Sequence, residues 1–264
     1  MDTPEEQVTP PALRAAHQQV EDLQRQLAQS RQALEDLTHS VSHDLRAPLR
    51  HVSAYLKILR EDLGDAVPAD ILGHLHTASD AATTLARLID GLLELSRIGR
   101  AELQQTCIAL QPLLEELHDK LGSESAGRRV EWQLAPDLPA VRGDLALVAQ
   151  LLEHLLGNAL KFTRGAEPAR IAVGWRALPD GWCELQIQDN GAGFDPRFND
   201  RLFKVFQRLH SSKQFEGIGV GLALSRLIVE RHGGRIQAEG ILGGGCKISV
   251  TLPLALSDPE AAAA

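Results

Sequence analysis

The chain has 264 residues, enough for one large domain or two modest ones. Hydrophobic residues make up 44% of it and charged residues 23%, which is ordinary for a globular protein. The net charge of -8 argues against a nucleic-acid binder, because such proteins usually carry a basic excess. No apolar run approaches the ~20 residues that cross a bilayer, so we expect no membrane segment and a cytoplasmic location.

A heptad repeat is the first regular pattern along the chain. Its period of 3.5 residues is typical of a two-stranded coiled coil, so residues 12–41 predict a signalling helix that forms a homodimer. A single amphipathic helix packed on its own domain is the alternative. Residues 1–11 and 256–264 are expected to be disordered tails. The repeat consists of Leu13, Ala16, Val20, Leu23, Leu27, Ser30, Leu34, Leu37 and Val41.

Residues 35–98 predict a helical hairpin. The first helix is expected to continue through His43 to about Leu63, and the glycine and proline between residues 64 and 68 end it. Asp70 is expected to cap a second helix that reaches about Ile98. Two such hairpins would form a dimeric four-helix bundle, which buries the apolar stripes of both helices.

Residues 102–255 predict a separate α/β domain after the helical part. Short β-like runs alternate there with helical runs, which is typical of an α/β sandwich. The β-like runs are residues 130–134, 170–175, 184–188 and 247–252, and the helical runs are residues 113–121, 145–162 and 220–231.

His43 is the candidate nucleophile, and it lies on the first helix of the predicted hairpin. An imidazole attacks a phosphoryl group through a neutral ring nitrogen, and a carboxylate that accepts the other ring proton strengthens the attack. Asp44 is next to His43 and can supply that carboxylate. Pro48 has no N–H, so we expect the helix to loosen one turn beyond His43.

Two glycine-rich segments predict a nucleotide site. Asp189 follows a predicted strand and can accept a hydrogen bond from an amino group such as that of adenine, while Gly191 and Gly193 allow a tight turn. The second segment opens a predicted helix, whose N-terminal N–H groups suit a triphosphate. A flexible loop is the alternative for it, and its spacing does not match a dinucleotide-binding motif. This segment contributes Gly217, Gly219 and Gly221.

A third set of polar residues lies on the helix predicted at residues 145–162. Asn158 and Lys161 are three residues apart and therefore share a face, which they also share with His154. An amide oxygen is a suitable ligand for Mg²⁺, and an ammonium group suits phosphate oxygens.

Taken together and in this order, the segments resemble the signature boxes of the sensor histidine kinase family. Residues 42–49 resemble its phosphoacceptor box, 154–162 its asparagine box, 189–194 and 217–222 its glycine boxes, and 202–208 its phenylalanine box. The similarity extends from about residue 35 to residue 253. Residues 206–210 and 228–234 further resemble kinases of the phytochrome-like or PAS/GAF-linked group. The resemblance implies a GHKL-type α/β sandwich, also called a Bergerat fold, for the second domain.

This resemblance also implies an activity and a role for each site residue. The chain would use ATP and Mg²⁺ to phosphorylate His43 and pass the phosphoryl group to an aspartate of a response regulator receiver domain, under the control of an N-terminal or separate sensor module. Asn158 would ligate Mg²⁺, Lys161 would contact phosphate, and Asp189 would bind the adenine amino group. The pocket and its lid would be shaped by Gly191, Gly193, Gly217, Gly219 and Gly221, with Lys213 reaching the γ-phosphate. Closure of the two domains would place a hinge near residues 96–101.

His154 is a departure from the family pattern, which often has a second asparagine at this position. A dimeric nucleotide-binding scaffold or a degenerate kinase that does not transfer phosphate is therefore one alternative. A GHKL ATPase without phosphotransfer is another, and it would need a glutamate base. Glu153 is the nearest candidate, but it lies one residue away from that family's usual position.

Overall fold

The computed structural model describes residues 11–64, 68–125, 127–211 and 214–255. The chain divides into two compact units, residues 1–96 and residues 97–264. The predicted tails, apart from Pro11, and Lys213 lie outside the described residues. Across the part that is described, no helix combines the length and apolarity needed to span a bilayer.

The first unit is the predicted helical hairpin. Helix α1 (Pro11–Leu63) continues without interruption across Pro48, and helix α2 (Ala69–Arg100) follows the turn. Asp70 does not cap α2 but lies inside its first turn, because Pro68 already accepts the first backbone hydrogen bond, from the N–H of Ile71 at 3.0 Å. The last turn of α2, from Arg97 onward, belongs to the second unit.

The two helices of the hairpin pack along a short apolar seam. Leu49, Ala82 and Ile89 are buried there, and an ion pair between Arg46 and Asp90 at 2.5 Å joins α1 to α2 beside them. Many other large apolar side chains of the hairpin stay 40–67% exposed, among them Val41, Leu45, Val52, Tyr55, Ile58, Leu59, Leu63 and Ile71.

The predicted coiled coil is described only in part. The helix itself is present over residues 12–41 as part of α1. Val20 and Leu23 are 52% and 58% exposed, so the seam is uncovered at these two positions within one chain. The side chains of Leu13, Ala16, Leu27, Leu34 and Leu37 lie outside the described residues, and the coiled coil stays a prediction.

The second unit is an α/β sandwich. Its main sheet has five strands in the order β2-β4-β5-β7-β6, with β2 parallel to β4 and the other neighbours antiparallel. Strands β1 and β3 form a separate antiparallel pair. The strands are β1 (Gln105–Ala109), β2 (Val130–Leu134), β3 (Ala140–Asp144), β4 (Ala169–Leu178), β5 (Trp182–Asp189), β6 (Ile236–Ile241) and β7 (Gly245–Pro253), and the helices are α3 (Leu110–Glu124), α4 (Leu145–Phe162), α5 (Asn199–Leu202) and α6 (Gly221–Arg231).

The core of this unit lies between the sheet and helix α4, which also packs on α3 and α6. Alternate residues of β5 face this core, because successive side chains of a strand point to opposite faces. Eight apolar side chains of α4 are buried, and they recur at the three- and four-residue steps of one helix face. They are Leu147, Val148, Leu151, Leu152, Leu155, Leu156, Ala159 and Leu160.

Truncation of Leu152 tests the importance of this helix. Leu152 is 0% exposed, so we expect Leu152→Ala to lower the free energy of unfolding of the second unit by about 2–5 kcal/mol through lost burial and a cavity. The three tryptophans, Trp132, Trp175 and Trp182, all lie in this unit, so their fluorescence during urea unfolding reports on it alone. The control is Leu145→Ala, at a position 55% exposed on the same helix, which should change stability by about 0.5 kcal/mol or less. Equal effects of the two substitutions would contradict the packing described.

Candidate active site

Helix α4 carries three of the predicted site residues on the edge of its buried face. Asp144 caps the helix by accepting a hydrogen bond from the N–H of Leu147 at 3.2 Å. His154, Asn158 and Lys161 lie between pairs of buried residues and are half-buried themselves. Because the apolar face fixes the rotation of the helix, these polar side chains all come to the same partly open side.

Asn158 and Lys161 are in direct contact. The Lys161 ammonium donates a hydrogen bond to Asn158 Oδ1 at 2.8 Å and lies 4.5 Å from the centre of the Phe162 ring. Burial lowers the pKa of Lys161, while the nearby Glu216 carboxylate raises it. The pair thus presents an amide oxygen and a partly desolvated cation side by side, which is what a metal-bound phosphate requires.

Asp189 ends the row of β5 residues that face the core, and it is only 9% exposed. Its carboxylate accepts a hydrogen bond from the N–H of Gly191 at 2.8 Å. Burial raises the pKa of Asp189 to about 6, and the backbone hydrogen bonds from Gly191 and Cys246 offset this only in part. A buried acceptor of this kind favours a ligand that brings its own N–H donor.

The first glycine segment is held against α4 and against the β6–β7 turn. A β-carbon at residue 191 would lie 2.4 Å from the carbonyl oxygen of Phe162, so only glycine fits there. Gly193 has a φ of +58°, and a β-carbon there would meet the Ile241 carbonyl oxygen at 1.8 Å. The N–H of Ala192 also donates to the Phe162 carbonyl at 3.0 Å. These contacts bring the turn after Asp189 to the C-terminal end of α4.

The second glycine segment lies along the same side of α4. A β-carbon at residue 217 would lie 3.6 Å from Lys161 Nζ, and one at Gly221, where α6 begins, would lie 3.8 Å from the His154 ring. The structure therefore brings the start of α6 together with His154 and Lys161. Gly219 has a φ of +75°, and its carbonyl accepts a hydrogen bond from the N–H of Phe206 at 2.9 Å.

Several contacts at this site involve residues that the sequence did not single out as site residues. The rings of Phe162, His210 and Phe215 form a cluster with centroid separations of 5.0–5.3 Å. Arg164, just after α4, forms a bidentate ion pair with Glu216, the residue before Gly217. Together these contacts hold residues 214–217 against the C-terminal end of α4. Of the predicted lid residues, Lys213 lies outside the described part.

His43, in the first unit, has the predicted carboxylate beside it. Its Nδ1 lies 3.3 Å from Asp44 Oδ1, and both side chains are about three-quarters exposed, at 74% and 76%. If Nδ1–H donates a hydrogen bond to Asp44, Nε2 carries the lone pair and is the nucleophilic nitrogen.

Two protein families match the chain, one for each unit. Residues 33–101 match the His Kinase A (phospho-acceptor) domain, and residues 143–256 match the histidine kinase-, DNA gyrase B- and HSP90-like ATPase domain. The chain belongs to the sensor histidine kinase family. These matches confirm the predicted fold class, a helical region followed by a GHKL-type α/β sandwich.

Individual relatives agree with the family and with its phytochrome-like branch. The chain is 32% identical over 232 residues to cyanobacterial phytochrome A of Nostoc sp., covering 88% of this chain and 30% of that protein. It is 30% identical over 239 residues to the phytochrome-like protein Cph1 of Synechocystis sp., covering 90% of this chain and 31% of that protein. The chain thus spans about a third of the length of these relatives.

A solved structure shows the same fold. Full-length ShkA in complex with AMPPNP superposes with a TM-score of 0.61 at 24% identity, over 84% of this chain and 46% of that one. The Acinetobacter baumannii histidine kinase AdeS superposes with a TM-score of 0.57 at 18% identity, over 81% of this chain and 98% of that one. The fold of this chain is therefore similar to that of these two proteins.

Asp189→Asn tests the predicted adenine contact. The substitution removes a charged acceptor, so we expect nucleotide affinity at pH 7.5 to fall roughly 10-fold or more. Wild-type affinity should itself weaken as the pH falls through about 6, because the carboxyl group then takes up a proton. A titration with fluorescent ADP at pH 5.5 and pH 7.5 measures both effects, and the variant controls for protonation of the phosphates.

The same variant should not be less stable than the wild type at pH 7.5. A carboxyl group with a raised pKa costs folding free energy above that pKa, and an amide removes this cost. The assignment of Asp189 to the adenine contact would be contradicted if Asp189→Asn bound ADP as tightly as the wild type. It would also be contradicted if the variant lost thermal stability along with its affinity for ADP.

Proposed function

We propose that this chain is an ATP-dependent protein-histidine kinase that phosphorylates its own His43 and passes the phosphoryl group to an aspartate of a response regulator. The observation that carries the proposal is that one chain combines a histidine–carboxylate pair on a helical hairpin with the Asn158–Lys161 site of an ATPase-type domain. Both domain families have matches in the chain.

ATP is the proposed nucleotide. Asp189 offers a buried acceptor for the adenine amino group, and the N-terminus of α6 offers backbone N–H groups and a positive dipole end for phosphates. The ATPase family match and the AMPPNP complex of ShkA support this choice.

Mg²⁺ fits the residues present, as an ion that arrives with the nucleotide. Within the described residues, the His, Cys, Asp and Glu side chains form no group of three or more that could hold a metal by itself. Mg²⁺ is typically bound by one or two protein oxygens, several waters and substrate phosphates. Asn158 Oδ1 is the protein oxygen that would hold it. When bound, the ion neutralises charge that develops on the phosphate oxygens.

The proposed phosphorylation of His43 is a single displacement at the γ-phosphorus of ATP. Nε2 of His43 forms a bond to the γ-phosphorus while the bond from that phosphorus to the β,γ-bridging oxygen breaks, and ADP leaves with the bonding electrons. Asp44 accepts a hydrogen bond from Nδ1–H and so stabilises the positive charge that develops on the ring. Lys161, next to Asn158, offsets negative charge on the phosphate chain.

A homodimer and a receiver domain are the proposed partners. The phosphoacceptor family and the exposed apolar side chains along the hairpin support dimerisation, since a four-helix bundle would bury them. The phytochrome relatives support a sensor module, which this chain would need from a preceding segment or from another protein. A cytoplasmic location stays a prediction.

The ATPase alternative is less well supported by the contacts of α4. A hydrolytic enzyme of this fold needs a carboxylate base near the nucleotide. Glu153 instead pairs with Lys120 of α3 at 2.5 Å, on the side of α4 that faces α3. His154, which lies beside Gly221, is not a carboxylate.

Labelling with γ-³²P-ATP tests the kinase directly. We expect the wild-type chain to take up label that is lost in acid and kept in alkali, because phosphohistidine has a P–N bond. His43→Gln should abolish the label, and His51→Gln, a control at another exposed histidine of α1, should keep it. Acid-labile label that persists in the His43 variant would disprove the assignment.

A further inference from the structure

Arg231, the last residue of α6, contacts the place where α2 ends. Its guanidinium group donates a hydrogen bond to the carbonyl oxygen of Ile98 at 3.0 Å and further hydrogen bonds to those of Gly99 and Ala101. The last carbonyl groups of a helix have no partners within the helix and carry the negative end of its dipole. A planar, always charged group with several N–H donors is well suited to satisfy them.

The neighbouring residue His232 fastens the same end of α6 to α4. It is 5% exposed, and its Nε2 accepts a hydrogen bond from the N–H of Asp144 at 3.0 Å. A backbone N–H is always a donor, so the ring proton must be on Nδ1, which donates to the Ile228 carbonyl at 2.7 Å. Asp144 is the cap of α4, the helix that carries Asn158 and Lys161.

The segment after α2 is attached to the same place. The N–H of Gln104 donates to Asp144 Oδ2 at 3.1 Å, and Ile98 is 1% exposed. Residues 98–104 are therefore fixed at one end by Arg231 and at the other by Asp144. All these residues belong to the second unit.

Arg231 is too far along α6 to take part in nucleotide binding. The helix has 11 residues and begins at Gly221, next to His154. At 1.5 Å per residue, Arg231 lies roughly 15 Å along the axis from the glycine segment. The contacts of Arg231 that bear on the hairpin are its hydrogen bonds to the backbone at the end of α2.

We propose that Arg231 is a positioning residue for phosphoryl transfer, because it makes the last turn of α2 a rigid part of the nucleotide-binding unit. The hinge between the units then lies before Arg97, rather than within the whole of residues 96–101. This inference rests on the proposed function. Phosphoryl transfer requires Nε2 of His43, on α1, to come within about 3–3.5 Å of the γ-phosphorus. A loosened α2 end would lower the fraction of time spent in that geometry.

Arg231→Gln tests this role by separating binding from transfer. We expect the affinity for ADP to stay within twofold of wild type, while the initial rate of His43 phosphorylation at saturating MgATP falls at least tenfold. Arg231→Lys should give an intermediate rate, because an ammonium keeps the charge but has one nitrogen, whereas the guanidinium contacts the three carbonyls from two. The control is Arg226→Gln on the same helix, where the exposed arginine pairs with Glu230 of that helix at 2.7 Å, and it should leave the rate unchanged.

Two results would overturn the proposal. One is a wild-type phosphorylation rate in Arg231→Gln, and the other is a loss of ADP affinity as large as the loss of rate, which would indicate general damage to the unit.

Hydrogen exchange provides a readout that does not depend on kinase activity. Amides of residues 98–104 should exchange at least tenfold faster in Arg231→Gln than in wild type or in Arg226→Gln. If the wild type forms no phosphohistidine at all, the proposed function fails. Unchanged hydrogen exchange of residues 98–104 in Arg231→Gln would separately disprove that Arg231 holds the end of α2.

Discussion

The burial of one face of α4 is the constraint on which the site depends. Eight apolar side chains of this helix are packed in the core, so the helix cannot rotate without exposing them. A rotation by one residue, about 100°, would move Lys161 toward the core and take Leu155 and Ala159 out of it. The fixed rotation holds His154, Asn158 and Lys161 on one side, where both glycine segments meet the helix. The packing energy of α4 thus maintains the geometry of the polar residues.

Burial also prepares two of these residues for a ligand of a particular kind. It raises the pKa of Asp189 and lowers that of Lys161, so each side chain is held in surroundings that disfavour its charge. A purine amino group would give the carboxylate a donor, and a polyphosphate would give the ammonium a counter-ion. The free energy that the domain loses by burying both charges is therefore recovered when a nucleotide binds, which is the expected compromise between stability and function.

The sequence predicted the parts of the molecule that are encoded locally. Helix α4 and strand β2 begin and end at the predicted residues because their apolar residues follow a regular period and polar or glycine-containing segments flank them. Strands β1, β3 and β6 were not predicted, since none of them alternates large apolar with polar residues along its length as β2 does. The Arg164–Glu216 and Arg231–Ile98 contacts join residues 52 and 133 positions apart, and no local pattern encodes such pairs. The roles of the individual site residues stay predictions that their positions support.

The measurement that tests the account most directly is residue-level mapping of the phosphoryl group. The wild-type chain is incubated with MgATP, digested at neutral pH and analysed by mass spectrometry, and ADP formation is followed in parallel. The account predicts phosphorylation at His43, with ADP formed in step with phosphohistidine until the histidine is consumed. Continued ADP formation without phosphohistidine, or a phosphoryl group on a different residue, would contradict it.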